Sequence, residues 1–213
     1  DFSGKCTVPL LFDLKTNQIV NNESSEIVKM LDSEFNEFAK KPNLTLRPRE
    51  MEEKIEEVNT WMYNSINNGV YRCGFARTQE AYDVAFGELF TALDEAEEKL
   101  SQSRFIAGNF LTESDIRLFA SLIRFDAVYY VHFKCNLKRI EEYPNLSQWL
   151  RDVYQISGIS STVLVDQIKQ HYYGSHPSVN PFLIVPNGPK NDFTTEHNRA
   201  SLFPGDVLYF NKQ

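Results

Sequence analysis

A chain of 213 residues, 42% hydrophobic and 24% charged, is long enough to bury a substantial core as one large domain or two small ones. That composition excludes a disordered chain, a collagen-like chain and a small disulfide scaffold. No apolar run approaches the ~18 residues that a membrane-spanning helix needs. With 22 Lys and Arg against 29 Asp and Glu, the net charge of -7 argues against a non-specific grip on nucleic acid or anionic lipid.

Residues 7–12 are apolar and β-prone, residues 13–18 polar and turn-like, and Ile19-Val20 resumes the strand, so an antiparallel hairpin is expected. Pro9 inside the first strand cannot donate to a ladder; an unpaired stretch or a cis bond are both open. Ser24 or Ser25 caps a helix with Ile27, Met30, Leu31 and Phe35 on one face. Residues 37–47 read as a linker. Met51, Ile55, Val58, Met62 and Ile66 follow helical spacing, and Asn67-Asn68-Gly69 is expected to end that helix. A long helix over about 78–100 carries Ala81, Ala85, Leu89, Leu93, Ala96 and Leu100 in one stripe. Thr112 and Asp115 form a capping-box pattern ahead of Ile116, Leu118, Phe119, Leu122 and Ile123. Pro144 opens a short helix, a further one runs over about 161–170, and a proline-punctuated surface tail follows.

Few residues announce chemistry on their own. Cys6, Cys73 and Cys135 are sparse and form no Cys-x-x-Cys, so they read as buried free thiols of a reducing compartment. His132, His171, His176 and His197 form no metal-binding pair; they read as structural or surface residues, and no metal site is expected. Residues 125–133 are dense in aromatics: core packing is the default reading, and a pocket for a flat aromatic ligand is the alternative. Asn21-Asn22-Glu23-Ser24, between strand and helix, is the most informative spot. A carboxylate beside the first N–H groups of a helix can hold an amino-acid end, though a plain N-cap explains it too.

A longer series of segments resembles a known family. Thr7-Val8-Pro9 followed by Asn21-Asn22-Glu23-Ser24-Ser25-Glu26-Ile27 resembles the second half of a glutathione-transferase thioredoxin-like domain. Asn67-Asn68-Gly69-Val70-Tyr71-Arg72, Thr112-Glu113-Ser114-Asp115-Ile116-Arg117-Leu118-Phe119, Arg124-Phe125-Asp126 and His132-Phe133-Lys134-Cys135-Asn136 narrow the match. Tyr143-Pro144-Asn145-Leu146 and His171-Tyr172-Tyr173 complete it. Together they resemble the Xi-class glutathione transferases, the glutathionyl-hydroquinone reductases, from about Thr7 to Pro189.

The resemblance implies an α+β, mostly helical fold. Residues 1–42 would be the C-terminal half of a thioredoxin-like domain, 43–172 an all-helical glutathione-transferase domain, and 173–213 an extended tail. It implies glutathione as co-substrate, docked at Val8, Pro9, Glu23 and Ser24, an aromatic or quinone ligand, and a homodimer. The place implied is a reducing compartment, the cytoplasm, a mitochondrion or a plastid. In the family, a Cys-Pro-Trp thiolate at a helix start attacks the sulfur of a glutathionylated hydroquinone, and a second glutathione resolves the mixed disulfide.

No Cys-Pro-Trp occurs in this sequence, and no charged-then-apolar leader precedes Thr7. The expectation is a start that is processed or cut, with the nucleophile upstream of Asp1, Cys6 not in its role, and the chain alone inactive. The alternative is a non-catalytic, transferase-like subunit of a larger assembly. Two tyrosines that the family associates with its hydroquinone pocket are replaced here by Arg47 and Ser147. The Val8 edge of the hairpin is expected to be covered by an upstream segment, another chain or the tail.

Overall fold

The computed structural model describes residues 7–210; Cys6 lies outside the described residues. The chain divides into two compact units, residues 1–48 with 208–213, and residues 49–207.

Among the described residues, the first unit holds one hairpin, one α-helix and a 3-10 turn at Asn36–Phe38. Strand β1 (Leu11–Asp13) pairs antiparallel with β2 (Gln18–Asn21), with a register irregularity between Leu11 and Phe12. Asp13 closes the turn by accepting from the Lys15 amide at 2.8 Å and the Thr16 hydroxyl at 2.7 Å, while Asn17 takes the left-handed conformation at φ 56°. Pro9 lies ahead of the paired residues and its bond to Val8 is cis. Helix α1 (Ser24–Ser33) is capped by Glu23, one residue earlier than the serines suggest. Of its apolar face only Ile27 is buried; Leu31 and Phe35 are exposed. The Asp32 carboxylate ties on the following segment, accepting from the Thr45 hydroxyl at 2.6 Å and the Leu46 amide at 2.8 Å. Among the described residues the tail meets the segment after α1: the Thr45 amide donates to the Tyr209 carbonyl, and Leu44 bridges Phe210. Val8 remains 92% exposed.

The second unit is helical: α2 (Glu52–Met62), α3 (Gly69–Gly74), α4 (Gln79–Gln102), α5 (Glu113–Arg124), the single turn α6 (Tyr130–His132), α7 (Pro144–Gln155), α8 (Val165–Ser175) and the short α9 (Arg199–Leu202). The apolar stripe of α4 is buried at Ala85, Leu89, Leu93, Ala96 and Leu100, although Ala81 lies at the surface. Asn67-Asn68-Gly69 does not stop the chain. A π-turn over Tyr63–Asn67 follows α2, Asn68 keeps a right-handed φ of -85°, and Gly69 begins α3. A helix stop at glycine needs a positive φ, which the chain does not adopt here. The helix expected over 161–170 instead runs Val165–Ser175, after a 3-10 turn at Ser160–Thr162.

The start of α5 is the anchor of this unit. Asp115 is fully buried and accepts from the amides of Ile106 and Thr112, the Thr112 hydroxyl and the Trp149 indole at 2.9–3.1 Å. One carboxylate thereby satisfies donors from three stretches of chain. Burial pushes its pKa up to about 6, against the downward pull of those hydrogen bonds.

The tail is more than a surface wrap. Gln155 donates to the carbonyls of Phe193 and Thr195, and Gln148 accepts from the Asn198 amide. Arg199 is fully buried and its guanidinium bonds the carbonyls of Ser103 and Arg104. Beside it, Arg104 pairs with Asp152 in a two-pronged contact at 2.8 and 2.9 Å. Among the described residues no helix is long and apolar enough to cross a membrane.

Candidate functional site

Two groups of side chains can carry chemistry, one in each unit. In the first unit, Asn22 organises the loop around Pro9. Its amide nitrogen donates to the carbonyls of Thr7 and Pro9 at 3.0 and 2.6 Å, and its carbonyl accepts from the Thr7 hydroxyl at 3.1 Å. Asn21 accepts from the Glu23 amide at 2.7 Å. The start of α1 is therefore fixed from behind, while Glu23 and Ser24 themselves are exposed. The Glu23 carboxylate accepts from Ser25 at long distances, 3.4 Å to the amide and 3.3 Å to the hydroxyl. It is a weakly engaged cap with capacity for another partner. Val8, Pro9, Glu23 and Ser24 are all at the surface.

In the second unit, three phenols meet. Tyr71 of α3, Tyr129 from the π-turn Phe125–Tyr129 and Tyr172 of α8 share their hydroxyls. Tyr71 to Tyr172 is 2.5 Å and Tyr129 to Tyr172 is 3.0 Å. Burial raises the pKa of Tyr172 to about 12 and pushes that of Tyr129 higher still, so both stay protonated at neutral pH. Tyr71 is the one of the three at the surface, and there a ligand hydroxyl can join the network. Tyr129 is the last residue of that π-turn, an irregular helix of a kind that recurs at functional sites.

Aromatic rings enclose the phenols. Phe133 stacks on Tyr129 with centroids 5.4 Å apart, and Phe75 lies 5.2 Å from Phe133. His132 and His176 hydrogen-bond each other through ring nitrogens at 3.1 Å. Burial first, then the neighbouring His176 and Lys134, lowers His132 to about 4, and burial also lowers His176. This is a neutral imidazole pair beside a phenol network. It is a more specific arrangement than the scattered structural or surface histidines the sequence suggests, though no metal-binding cluster forms among the described residues.

The aromatic run 125–133 packs mainly as core, as the default reading has it. Phe125, Val128 and Phe133 are core, while Tyr129 enters the cluster. Tyr71 and Tyr172 lie in segments that carry the family resemblance, but the sequence assigns neither residue a role. The hydroxyls converge from three separate elements, and spacing cannot reveal that. Ser147 lies elsewhere, on α7, lining a cavity of about 180 Å³ with Asp126, Ile140, Arg151 and Lys190. Cys73 and Cys135 are both buried free thiols.

Comparison with known proteins gives the chain its relatives. Residues 79–152 match the family described as glutathione S-transferase, C-terminal domain. The chain is 46% identical over 202 residues to glutathionyl-hydroquinone reductase YqjG of Escherichia coli, covering 95% of this chain and 61% of that protein. It is 48% identical over 188 residues to glutathionyl-hydroquinone reductase PcpF of Sphingobium chlorophenolicum, covering 88% and 60%. The chain therefore spans about three fifths of the length of these relatives. The glutathione-bound structure of Escherichia coli YqjG superposes with a TM-score of 0.91, at 46% identity, over 95% of this chain and 66% of that one. A Xi class transferase from Natrialba magadii superposes at 0.89, with 49% identity, over 92% and 59%.

Proposed function

The chain belongs to the Xi class of glutathione transferases, the glutathionyl-hydroquinone reductase family, and on that premise we propose that its protein reduces glutathionylated hydroquinones with glutathione as co-substrate. The observation that carries this reading is the phenol network of Tyr71, Tyr129 and Tyr172, open at Tyr71. A dihydroxylated ring offers hydroxyls for such a network and a flat face for Phe75 and Phe133.

In this reading the γ-glutamyl end of glutathione lies at the start of α1. Its carboxylate meets the N–H groups and hydroxyl of Ser24, its ammonium meets Glu23, and its cysteinyl backbone runs along Val8 and Pro9. The attacking thiolate belongs to a Cys-Pro-Trp segment, which residues 1–213 do not contain. That thiolate attacks the glutathione sulfur and the carbon–sulfur bond breaks. The aromatic carbon takes a proton, and hydroquinone leaves an enzyme–glutathione mixed disulfide. A second glutathione attacks it, releasing glutathione disulfide and the free thiol. The phenols hold the ring hydroxyls while charge builds on the ring.

Residues 1–213 by themselves are expected to turn nothing over, because the covalent path needs that thiol. The whole protein is expected to work as a dimer.

The glutathione half is tested by calorimetry on the intact protein. Glu23→Ala should weaken glutathione binding by about tenfold, the loss of one charge-assisted contact. Unchanged affinity would remove Glu23 from the site.

A further inference from the structure

The cavity of about 180 Å³ between α7 and residues 190–195 of the tail takes no part in the reductase reading. Both of its walls are held. Ser147, Leu150 and Arg151 stand three and four residues apart on α7, so one face of that helix presents all of them. The other wall has no regular secondary structure and is fixed by side chains instead. Gln155 donates to the Phe193 and Thr195 carbonyls at 2.9 and 2.8 Å. Asp192 closes a turn, accepting from the Thr194 amide at 2.8 Å and its hydroxyl at 2.6 Å. The Phe193 ring packs on Tyr154, with centroids 5.3 Å apart.

The charges around this space are unequally committed. Arg151 and Lys190 both line it, and among the described residues neither makes a hydrogen bond or an ion pair. Arg151 is half-buried, and its Nε is closed to solvent without an acceptor. A guanidinium partly stripped of water and left unpaired gains more from an arriving anion than an exposed one does. The carboxylates nearby are occupied or solvated. Asp126 accepts from the Ile140 and Glu141 amides at 2.7 and 3.2 Å, Asp192 is taken by Thr194 and Thr195, and Glu141 is exposed. They leave the two cations unpaired, yet their field repels a ligand that carries several negative charges. Between the charged groups, Ile140, Leu150 and Phe193 offer an apolar surface. The volume equals that of about six waters in the liquid, room for one ring and one carboxylate.

We propose that this cavity binds a small monocarboxylate with a flat apolar body, of the benzoate class. Its carboxylate accepts from the Arg151 guanidinium and lies beside the Lys190 ammonium, while its ring rests on Leu150 and Phe193. The Ser147 hydroxyl, bonded only at 3.4 Å to the Pro144 carbonyl, is a further donor. One negative charge satisfies the cations without confronting the three carboxylates twice, and the apolar body distinguishes this ligand from inorganic anions. The site is separate from the phenol network and does not rest on the reductase reading.

The test is fluorine NMR of 4-fluorobenzoate titrated with the intact protein. The wild type should bind it saturably at about millimolar concentration, as expected of so small a ligand. Arg151→Gln should weaken binding by about tenfold, through loss of a charge-assisted contact. Because Arg151 has no partner to lose, its thermal midpoint should match the wild type. Lys190→Gln, at the exposed rim, should weaken binding by about threefold. Ser147→Tyr, which fills the cavity from α7, should abolish it, and Tyr172→Phe should bind as the wild type does. The uncharged 4-fluorobenzyl alcohol, and inorganic phosphate used as competitor, should each bind at least about tenfold more weakly. The proposal is overturned if the wild type shows no saturable binding, or if Arg151→Gln and Ser147→Tyr both keep wild-type affinity. It is equally overturned if phosphate or the alcohol matches 4-fluorobenzoate, or if Tyr172→Phe alone loses binding, which would place the ligand at the phenols.

Discussion

The two units manage their polar and apolar groups in opposite ways. In the helical unit, several polar groups go inside and are paired: Asp115 with four donors, Asp152 with Arg104, Tyr129 with Tyr172. In the hairpin unit, apolar groups stay outside, with Val8 at 92%, Leu14 at 89% and Phe38 at 76% exposure. A hairpin with one helix is marginal as a folding unit, whereas the helical unit encloses Trp149, Leu89 and Leu93 completely. The two halves of the proposed chemistry therefore rest on supports of unequal stiffness. The phenols are positioned by a packed core; the glutathione end depends on a thin scaffold held by Asn22 and Asp32.

That contrast predicts very different responses to truncation. Asp115→Ala should destabilise the helical unit by about 3 kcal/mol or more, because several buried donors lose their acceptor at once. Leu14→Ala should change stability by less than about 0.5 kcal/mol, as expected of an exposed side chain. Urea denaturation of each variant reads both, and equal losses would dissolve the distinction.

A smaller effect probes how tightly the core holds the site. Gly74→Ala forces the Phe133 ring away from α3 and should cost about 2 kcal/mol by overpacking. Because Phe133 stacks on Tyr129, the same variant should disturb the phenols, visible as a change in near-ultraviolet circular dichroism. A variant of full stability with an unaltered spectrum would show that the contact is loose.

The pH response sharpens the comparison further. His132 titrates at about 4 in the folded chain, below its usual 6.5. The unfolded chain therefore takes up that proton first, and the contribution of His132 to stability is lost as pH falls from about 6.5 toward 4. Asp115, raised to about 6, acts in the opposite sense: the unfolded carboxyl ionises from about 4 while the folded one keeps its proton until about 6, so stability falls as pH rises across that window. His132→Phe should leave the Asp115 trend alone, so that stability rises on acidification across that window. Thermal melts between pH 4 and 7 measure it, and an unchanged profile would remove His132 from the account.

Much of the helical unit was legible because its signals are local. The α4 stripe, the Thr112–Asp115 capping box and Pro144 at a helix start each declare themselves within a few residues. Asn67-Asn68-Gly69 misled because a glycine permits a left-handed stop without requiring one, and the chain continues through a π-turn. Arg199 in the proline-rich tail was unreadable, since its acceptors are carbonyls of Ser103 and Arg104, far off in sequence. The candidate site divides the same way. Glu23 and Ser24 stand out at a strand–helix junction, whereas Tyr71, Tyr129 and Tyr172 gain meaning only once three elements fold together.

The most direct test of the central claim is steady-state turnover of a glutathionylated hydroquinone by the intact protein, wild type against Tyr172→Phe. The account predicts release of free hydroquinone and glutathione disulfide in equal amounts by the wild type. It predicts a kcat about 10- to 100-fold lower in the variant, with KM for glutathione unchanged, as expected when one donor is removed from a site of developing charge. No hydroquinone release by the intact wild-type protein, or a Tyr172→Phe variant with undiminished kcat, would contradict it.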